Sequence, residues 1–248
     1  MSAENSSVDI AEVAKFEAMA ARWWDPNGPA RPLHLLGPAR LDYIADQVCA
    51  EFGRDRRALR PFEGLDVIDV GCGGGLVTEP MARLGATVVG IDAAAASIEA
   101  ARSHASQGGL TIDYRATTAE ALVTDGEVFD VVLALEIVEH VSDQAAFLKT
   151  CAALVRPGGM MILSTLNRTA ASFALAIVGA EYVLGWLDRG THDWRRFVTP
   201  DDVATMWTAA GLQPVDSTGM VLNPRTMTFA LSPRDLSVNY IATALKPA

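Results

Sequence analysis

Cysteine is scarce in this chain of 248 residues: only Cys49, Cys72 and Cys151 occur, and no two of them form a C-x-x-C pair. That odd, scattered count leaves no disulfide framework and no cysteine zinc site, and it fits a reducing compartment. Positive charge is also short: 20 Lys and Arg against 30 Asp and Glu give a formal net charge of −10. Such a chain has no general attraction for nucleic acid or anionic lipid, so no nucleic-acid partner is expected. The N-terminus has no apolar signal-peptide core; it begins polar and acidic, and cytoplasm is the expected compartment. No apolar run is both long and free of charge. Residues 170–187 come nearest, but they contain Glu181 and two glycines. A charge near mid-span costs roughly 3 kcal/mol on insertion scales, so a membrane span is not expected. Neither repeats nor a domain-separating linker can be found, and residues 1–248 read as one domain.

Apolar residues are plentiful, at 50 % of the chain, with 20 % charged. That is globular composition, at a length suited to one large α/β domain with additions. The stretch Leu65-Asp66-Val67-Ile68-Asp69-Val70-Gly71-Cys72-Gly73-Gly74-Gly75 organises the rest. A short apolar strand runs into a glycine turn, and Leu76 to Leu84 then reads as a helix, the opening of a nucleotide-binding βαβ unit. Gly71 and Gly73 fit the first two positions of G-x-G-x-x-G and are candidate cofactor contacts, but Leu76 stands where the third glycine belongs. The next apolar run ends at Asp92, placed to accept both hydroxyls of a ribose. NAD and the adenosyl group of S-adenosylmethionine both fit so far. Asp69 tips the balance, since a carboxylate repels a diphosphate and attracts a sulfonium or an α-amino group. Cys72, with no histidine near it in sequence, reads as a small packing residue.

Strands read at 65–70, 86–91, 110–115, 129–135 and 160–165, with helices between them and a Pro157-Gly158-Gly159 turn before the fifth. Two closing strands, 212–219 and 238–245, make seven. The alternation predicts a doubly wound, mostly parallel sheet, with the ligand crevice along its C-terminal edge. Gly71, Asp92, Leu135 and Thr165 all map to that edge. Ahead of the sheet, 1–60 reads as a helical cap. One helix carries Trp23 and Trp24, a lid or simple core packing. A second is expected from Leu41 to Phe52, after an irregular proline-rich stretch, Pro29 to Pro38. Arg40 then stands at a helix start, where a cation is mildly unfavourable, and so suggests a ligand carboxylate. After the fifth strand, 168–198 reads as an insertion whose 170–187 segment is a buried helix or an amphipathic membrane-surface cover. Thr199-Pro200-Asp201-Asp202 opens a further helix.

The fourth strand leads into Leu135-Glu136-Ile137-Val138-Glu139-His140-Val141. In a helical turn, Glu136, Glu139 and His140 share one face. Two carboxylates and an imidazole there are candidates for Mg²⁺, Mn²⁺ or Zn²⁺ ligation or for a general base. A polar rim with a satisfied structural histidine is the alternative.

With these residues in hand the chain resembles the class I S-adenosylmethionine-dependent methyltransferases, and within them the ubiquinone-biosynthesis O-methyltransferases. The resemblance is carried by Trp23-Trp24-Asp25, Pro32-Leu33-His34, Pro38-Ala39-Arg40, the glycine turn, Glu136 to Val141, Ser164-Thr165-Leu166-Asn167-Arg168, Val178 to Tyr182, Gly190-Thr191-His192-Asp193 and Asn223-Pro224. It spans roughly residues 13–240. Gly37 replaces a usual asparagine, and the arginine-rich connector 53–61 is longer than usual. The resemblance implies S-adenosylmethionine contacts at Arg40, Gly71, Asp92 and Leu135, and a divalent ion such as Mg²⁺ on Glu136, Glu139 and His140. It implies a polyprenyl catechol as the methyl acceptor, namely 2-polyprenyl-6-hydroxyphenol and 3-demethylubiquinol. It also implies weak peripheral membrane association, at the inner face, and assembly with other ubiquinone-pathway enzymes. Transfer to oxygen is in line; a neutral phenol, titrating near ~10, needs a cation or a base. His140, either carboxylate, or His192 as runner-up would take the proton. Another small phenolic acceptor, an NAD-dependent oxidoreductase and a non-catalytic adenosyl-binding module are the competing readings.

Overall fold

The computed structural model describes residues 7–175 and 193–248. Five strands, β1 (Asp66–Val70), β2 (Thr87–Asp92), β3 (Asp113–Ala116), β4 (Phe129–Leu135) and β5 (Val155–Leu166), are mutually parallel. Three more, β6 (Gln213–Asn223), β7 (Thr228–Ser232) and β8 (Asn239–Leu245), continue the sheet antiparallel, in the order β3-β2-β1-β4-β5-β8-β6-β7. The sheet has eight strands among the described residues, not seven. The added strand is β7, a short edge piece hairpinned to β6. Its alternation is only partly buried, so the period-2 signal is weak. Pro157-Gly158-Gly159 is likewise no turn ahead of β5. It lies inside the strand, where the register against β4 slips between Phe129 and Val131. A bulge absorbs the residues that the sequence pattern assigns to a turn.

Successive residues of a strand face opposite ways, and β1 shows the consequence. Ile68 belongs to a core with Val132, Leu148 and Trp207, while Val67 belongs to a second core with Ile44, Phe62, Leu133 and Ile162. Helices therefore cover both faces: α3 (Thr78–Arg83), α4 (Ala95–Gln107), α5 (Ala119–Thr124) and α6 (Gln144–Leu154) fill the crossovers. β4, covered on both sides, is buried along its whole length, as a continuous apolar run requires. The single turn α7 (Ala170–Ser172) follows β5, and α8 (Pro200–Ala209) opens with Thr199 in a capping box. The chain runs outward from β1 to β2 and β3, then returns to place β4 on the other side of β1. A crevice opens at that switch point, beyond the carboxyl ends of β1 and β4.

Two helices precede the sheet. α1 (Ile10–Met19) is capped by Asp9 and ends in a 3₁₀ turn. α2 (Arg31–Glu51) begins ten residues before the expected Leu41, with Pro32 in its first turn and Pro38 inside it. Pro32 costs nothing there, because first-turn N–H groups have no partner in the helix. Near the turn that Pro38 disturbs, Arg40 Nη2 donates to the Leu33 carbonyl at 2.9 Å. Arg40 is thus mid-helix, and the helix-start argument for it does not hold.

α2 is tied to the sheet by Tyr43, whose hydroxyl donates to Asp216 Oδ2 at 2.7 Å and lies 2.9 Å from Thr243 Oγ1. Replacing Tyr43 by Phe takes one donor from Asp216 and should cost about 1–3 kcal/mol. A lower urea midpoint with an unchanged slope is the expected result.

Candidate active site

β1 delivers the glycine turn. Gly71 and Gly73 have φ of +74° and +52°, values that a Cβ makes costly, and the Gly71 and Cys72 N–H groups donate back to Ile91 O. The turn is held to β2 through Asp92, whose Oδ2 accepts from Gly73 N at 3.0 Å and Oδ1 from Ala94 N at 2.7 Å. Burial raises the Asp92 carboxyl above the ordinary aspartate range while those two donors pull it down. Each oxygen still has a lone pair to offer.

Asp69, within β1, is buried and accepts from Thr78 Oγ1 at 2.6 Å. Burial pushes its carboxyl up to about 6, against the Thr78 bond and the nearby Arg40 charge. Arg40 is 3 % exposed. Burial lowers its pKa, and the charges of Glu136 and Asp69 oppose that. Its Nε is buried without a hydrogen-bond partner among the described residues. A buried guanidinium with one donor left over is of the kind that could accept an anion.

After β4 the backbone turns sharply. Glu136 has φ +52°, one of two positive-φ residues other than glycine among those described. Its N–H donates to Ser164 O at 2.9 Å, and its Oε1 accepts from Ser164 Oγ at 2.7 Å. Strain of this kind, held by neighbours, belongs to functional sites. A 3₁₀ turn over Val138–His140 follows. Glu139 Oε2 accepts from Thr165 Oγ1 at 2.8 Å, and burial together with the Glu136 charge holds Glu139 well above the usual carboxylate range. His140 Nδ1 donates to Glu12 Oε2 of α1 at 2.8 Å, and Phe16 sits edge-on to the ring at 5.3 Å. Against desolvation, Glu12, Glu139 and Glu136 raise the imidazole's pKa.

The three residues therefore do not share a helical face. Each is drawn to a different partner, Ser164, Thr165 or Glu12. Among the described residues no group of three His, Cys, Asp or Glu side chains could hold a metal ion. The donor types suit Mg²⁺, but a divalent ion would have to draw Glu139 off Thr165 and His140 off Glu12. In this arrangement the set does not fit an ion.

A cavity of about 1240 Å³ gathers these groups. Arg40, Asp69, Gly71, Asp92, Leu135, Glu136, Glu139 and His140 all line it. Gly73 does not: the Trp23 ring covers it, and a Cβ there would lie 2.6 Å from that ring. Trp23 Nε1 donates to Ser97 Oγ at 3.1 Å and Trp24 Nε1 to Gly74 O at 3.0 Å, so the tryptophan pair clamps the glycine turn. Cys72 is buried, and its thiol pKa is pushed well up by burial. His192 lies outside the described residues, as does most of 170–187. Sequence reasoning missed Glu12 and Thr78. Glu12 stands 128 positions from His140, a separation with no local signal, whereas Thr78 follows the glycine turn directly and was open to discovery.

The methyltransferase-domain family model matches residues 42–217. The chain is 60 % identical, over 100 % of both chains, to a ubiquinone biosynthesis O-methyltransferase of Dinoroseobacter shibae. It is 59 % identical to one of Cereibacter sphaeroides, covering 98 % of each. Among solved structures it is similar to magnesium protoporphyrin IX methyltransferase from Synechocystis with bound SAM. There the TM-score is 0.63 at 17 % identity, over 98 % of this chain and 99 % of that one. A Burkholderia thailandensis N-methyltransferase with bound S-adenosylhomocysteine gives 0.61 at 18 % identity, over 96 % and 89 %.

Asp69 carries a pH-dependent cost. An unfolded aspartate titrates near ~3.9, and this one near 6 in the fold. Between those values the native state holds more protons, so stability falls as pH rises, and the whole penalty applies above pH 6. Asp69→Asn should therefore be more stable than wild type at pH 8 without ligand, by about 3 kcal/mol. The gap should close toward pH 4, as thermal or urea unfolding across pH will show.

Proposed function

The chain belongs to the ubiquinone biosynthesis O-methyltransferases, and on that premise we propose that it methylates a phenolic oxygen of a polyprenyl catechol, with S-adenosylmethionine as donor. One observation carries the residue-level reading: the buried Arg40 guanidinium, its Nε unspent, lies beside Asp69 and Glu136 on the wall that Gly71 opens. A zwitterionic amino acid head carrying a sulfonium suits that wall. Arg40 takes the carboxylate, and Asp69 attracts the positive charge. Asp92, already oriented by two backbone donors, accepts the ribose hydroxyls with its remaining lone pairs. Leu135 gives the base an apolar wall. An NAD oxidoreductase does not fit the family, and a purely binding role leaves the strained Glu136 turn without purpose.

When bound, the cofactor supplies an electrophilic methyl on sulfur. The chain's part is to hold the acceptor in line and to take its proton, since a phenol stays protonated at neutral pH. Glu139 is the residue we assign as base. It lines the cavity, its carboxylate is steered by Thr165, and its raised affinity for a proton suits transfer near neutrality. His140, clamped by Glu12, stands second.

A polyprenyl tail keeps the substrate in lipid, at about 0.8 kcal/mol per buried CH₂. No helix among the described residues is long and apolar enough to cross a membrane. Phe173 and Leu175, 47 % and 62 % exposed where the 170–187 segment begins, support weak peripheral contact with the inner face. Such a substrate also favours assembly with other enzymes of the pathway, which could hand it over without passage through water.

Product analysis with a polyprenyl catechol and S-adenosylmethionine tests the activity. Glu139→Gln should lower kcat by about 10²–10⁴-fold. Isothermal titration should find cofactor affinity within a few-fold of wild type. A parallel loss of cofactor binding would remove Glu139 from the role of base.

A further inference from the structure

The cavity is larger than its polar chemistry needs. Pockets that enclose a drug-sized ligand hold about 300–1,000 Å³, and this one reaches about 1240 Å³. Asp69, Glu136 and Glu139 line it at the β1–β4 edge, and further polar groups come from Glu12 and Lys15 of α1, Arg31 at the start of α2, and Asp235 and Ser237 ahead of β8. A different wall is built from α2 and from the β6–β7 hairpin, whose second strand the sequence pattern did not reveal. Leu33, Leu36, Met220, Leu222 and Phe229 line it. Met220 and Leu222 are two residues apart on β6 and so face the same way, and Leu222 pairs directly with Phe229 across the hairpin. Leu36, Met220 and Leu135 belong to one buried apolar cluster, with Phe229 packed against it. The apolar wall is therefore continuous with Leu135 at the reaction edge. The opposite apolar wall, on α1, is already engaged: Phe16 stacks on Trp23 and meets His140 edge-on.

We propose that α2 and the β6–β7 hairpin form a slot for the first isoprene units of the acceptor's own tail, with Leu222 and Phe229 as its specificity-determining side chains. The proposal deepens the methyltransferase reading and rests on it. The occupant follows from continuity: a catechol ring at Glu139 carries its tail away from the reacting oxygens, and this wall extends the same cavity in apolar side chains. The rim residues Leu222 and Phe229 are only partly buried, as side chains awaiting a ligand are, while Leu36 and Met220 beneath them are closed into the core. A tail seated here removes apolar surface from water on both partners.

The test compares kcat/KM for two acceptors, a farnesylated catechol and the same catechol without a tail. Wild type should strongly favour the farnesylated acceptor. The double variant Leu222→Ala/Phe229→Ala should reduce that preference by about tenfold or more, and Leu222→Trp, which fills the slot instead of emptying it, should reduce it too. A ratio is read because a general folding defect lowers both acceptors together. Val215→Ala, exposed on β6 and outside the cavity, should keep the wild-type ratio. Wild-type preference preserved in both slot variants would overturn the proposal. Failure of wild type to methylate either acceptor would instead strike the methyltransferase reading itself.

Discussion

A buried arginine beside two carboxylates sets the terms for the rest of this molecule. Taking such charges out of water costs several kcal/mol each, and only good geometry and further hydrogen bonds recover it. The fold supplies them piecemeal. Thr78 holds Asp69, Ser164 holds Glu136, and the Leu33 carbonyl takes one guanidinium nitrogen. Tyr43 staples α2, and Arg40 with it, to β6 and β8. What remains is Nε, buried and unspent. A carboxylate-bearing ligand is the kind of group that would satisfy it.

The glycine turn works under a related constraint. Its glycines were expected to let backbone approach a ligand, and Gly71 does line the cavity. Gly73 and Gly74 have a different neighbour, the Trp23 ring, which leaves no room for a Cβ on either. Trp24 fixes the Gly74 carbonyl from outside. Rigidity is the result: a loop of adjacent glycines, entropically expensive to order, is gripped by two large side chains from the segment after α1. The N-terminal helices are therefore part of the site's frame, and α1 also holds the His140 ring through Glu12.

The legible parts of the fold were those that repeat a short period or carry a special residue. The strands β1 to β5 and the turn after β1 could be read because continuous apolar runs and glycine clusters are local signals. Two of the departures were local as well. A proline inside α2 and a Pro-Gly-Gly inside β5 both read as breaks, yet tertiary packing carried the helix and the bulged strand through them. Arg40 was singled out for the wrong reason, a helix start that lies nine residues earlier. Glu136, Glu139 and His140 do lie at one sheet edge, but the helical turn that would put them on one face does not form, because a left-handed residue and a 3₁₀ turn send them apart. Their partners come from β5 and from α1, and no window of sequence contains both ends of such a bond.

Burial works on the site's carboxylates in a common direction. Asp69, Asp92 and Glu139 all hold their protons more tightly than ordinary acids, with desolvation the largest cause in each. A cationic ligand nearby would favour the charged form of such a set. A sulfonium or ammonium beside Asp69 restores the charge balance that burial disturbs, and the fold need not supply a second arginine to do so. Glu139 has a second carboxylate, Glu136, as its neighbour, and that charge adds to burial in raising its proton affinity. Two kinds of acid thus arise from one low-dielectric edge. On the proposed reading, a cationic donor would draw its neighbours toward ionisation, while a carboxylate beside another carboxylate would stay ready to exchange a proton. The division rests on which neighbours each carboxylate has, because the side-chain type is the same throughout.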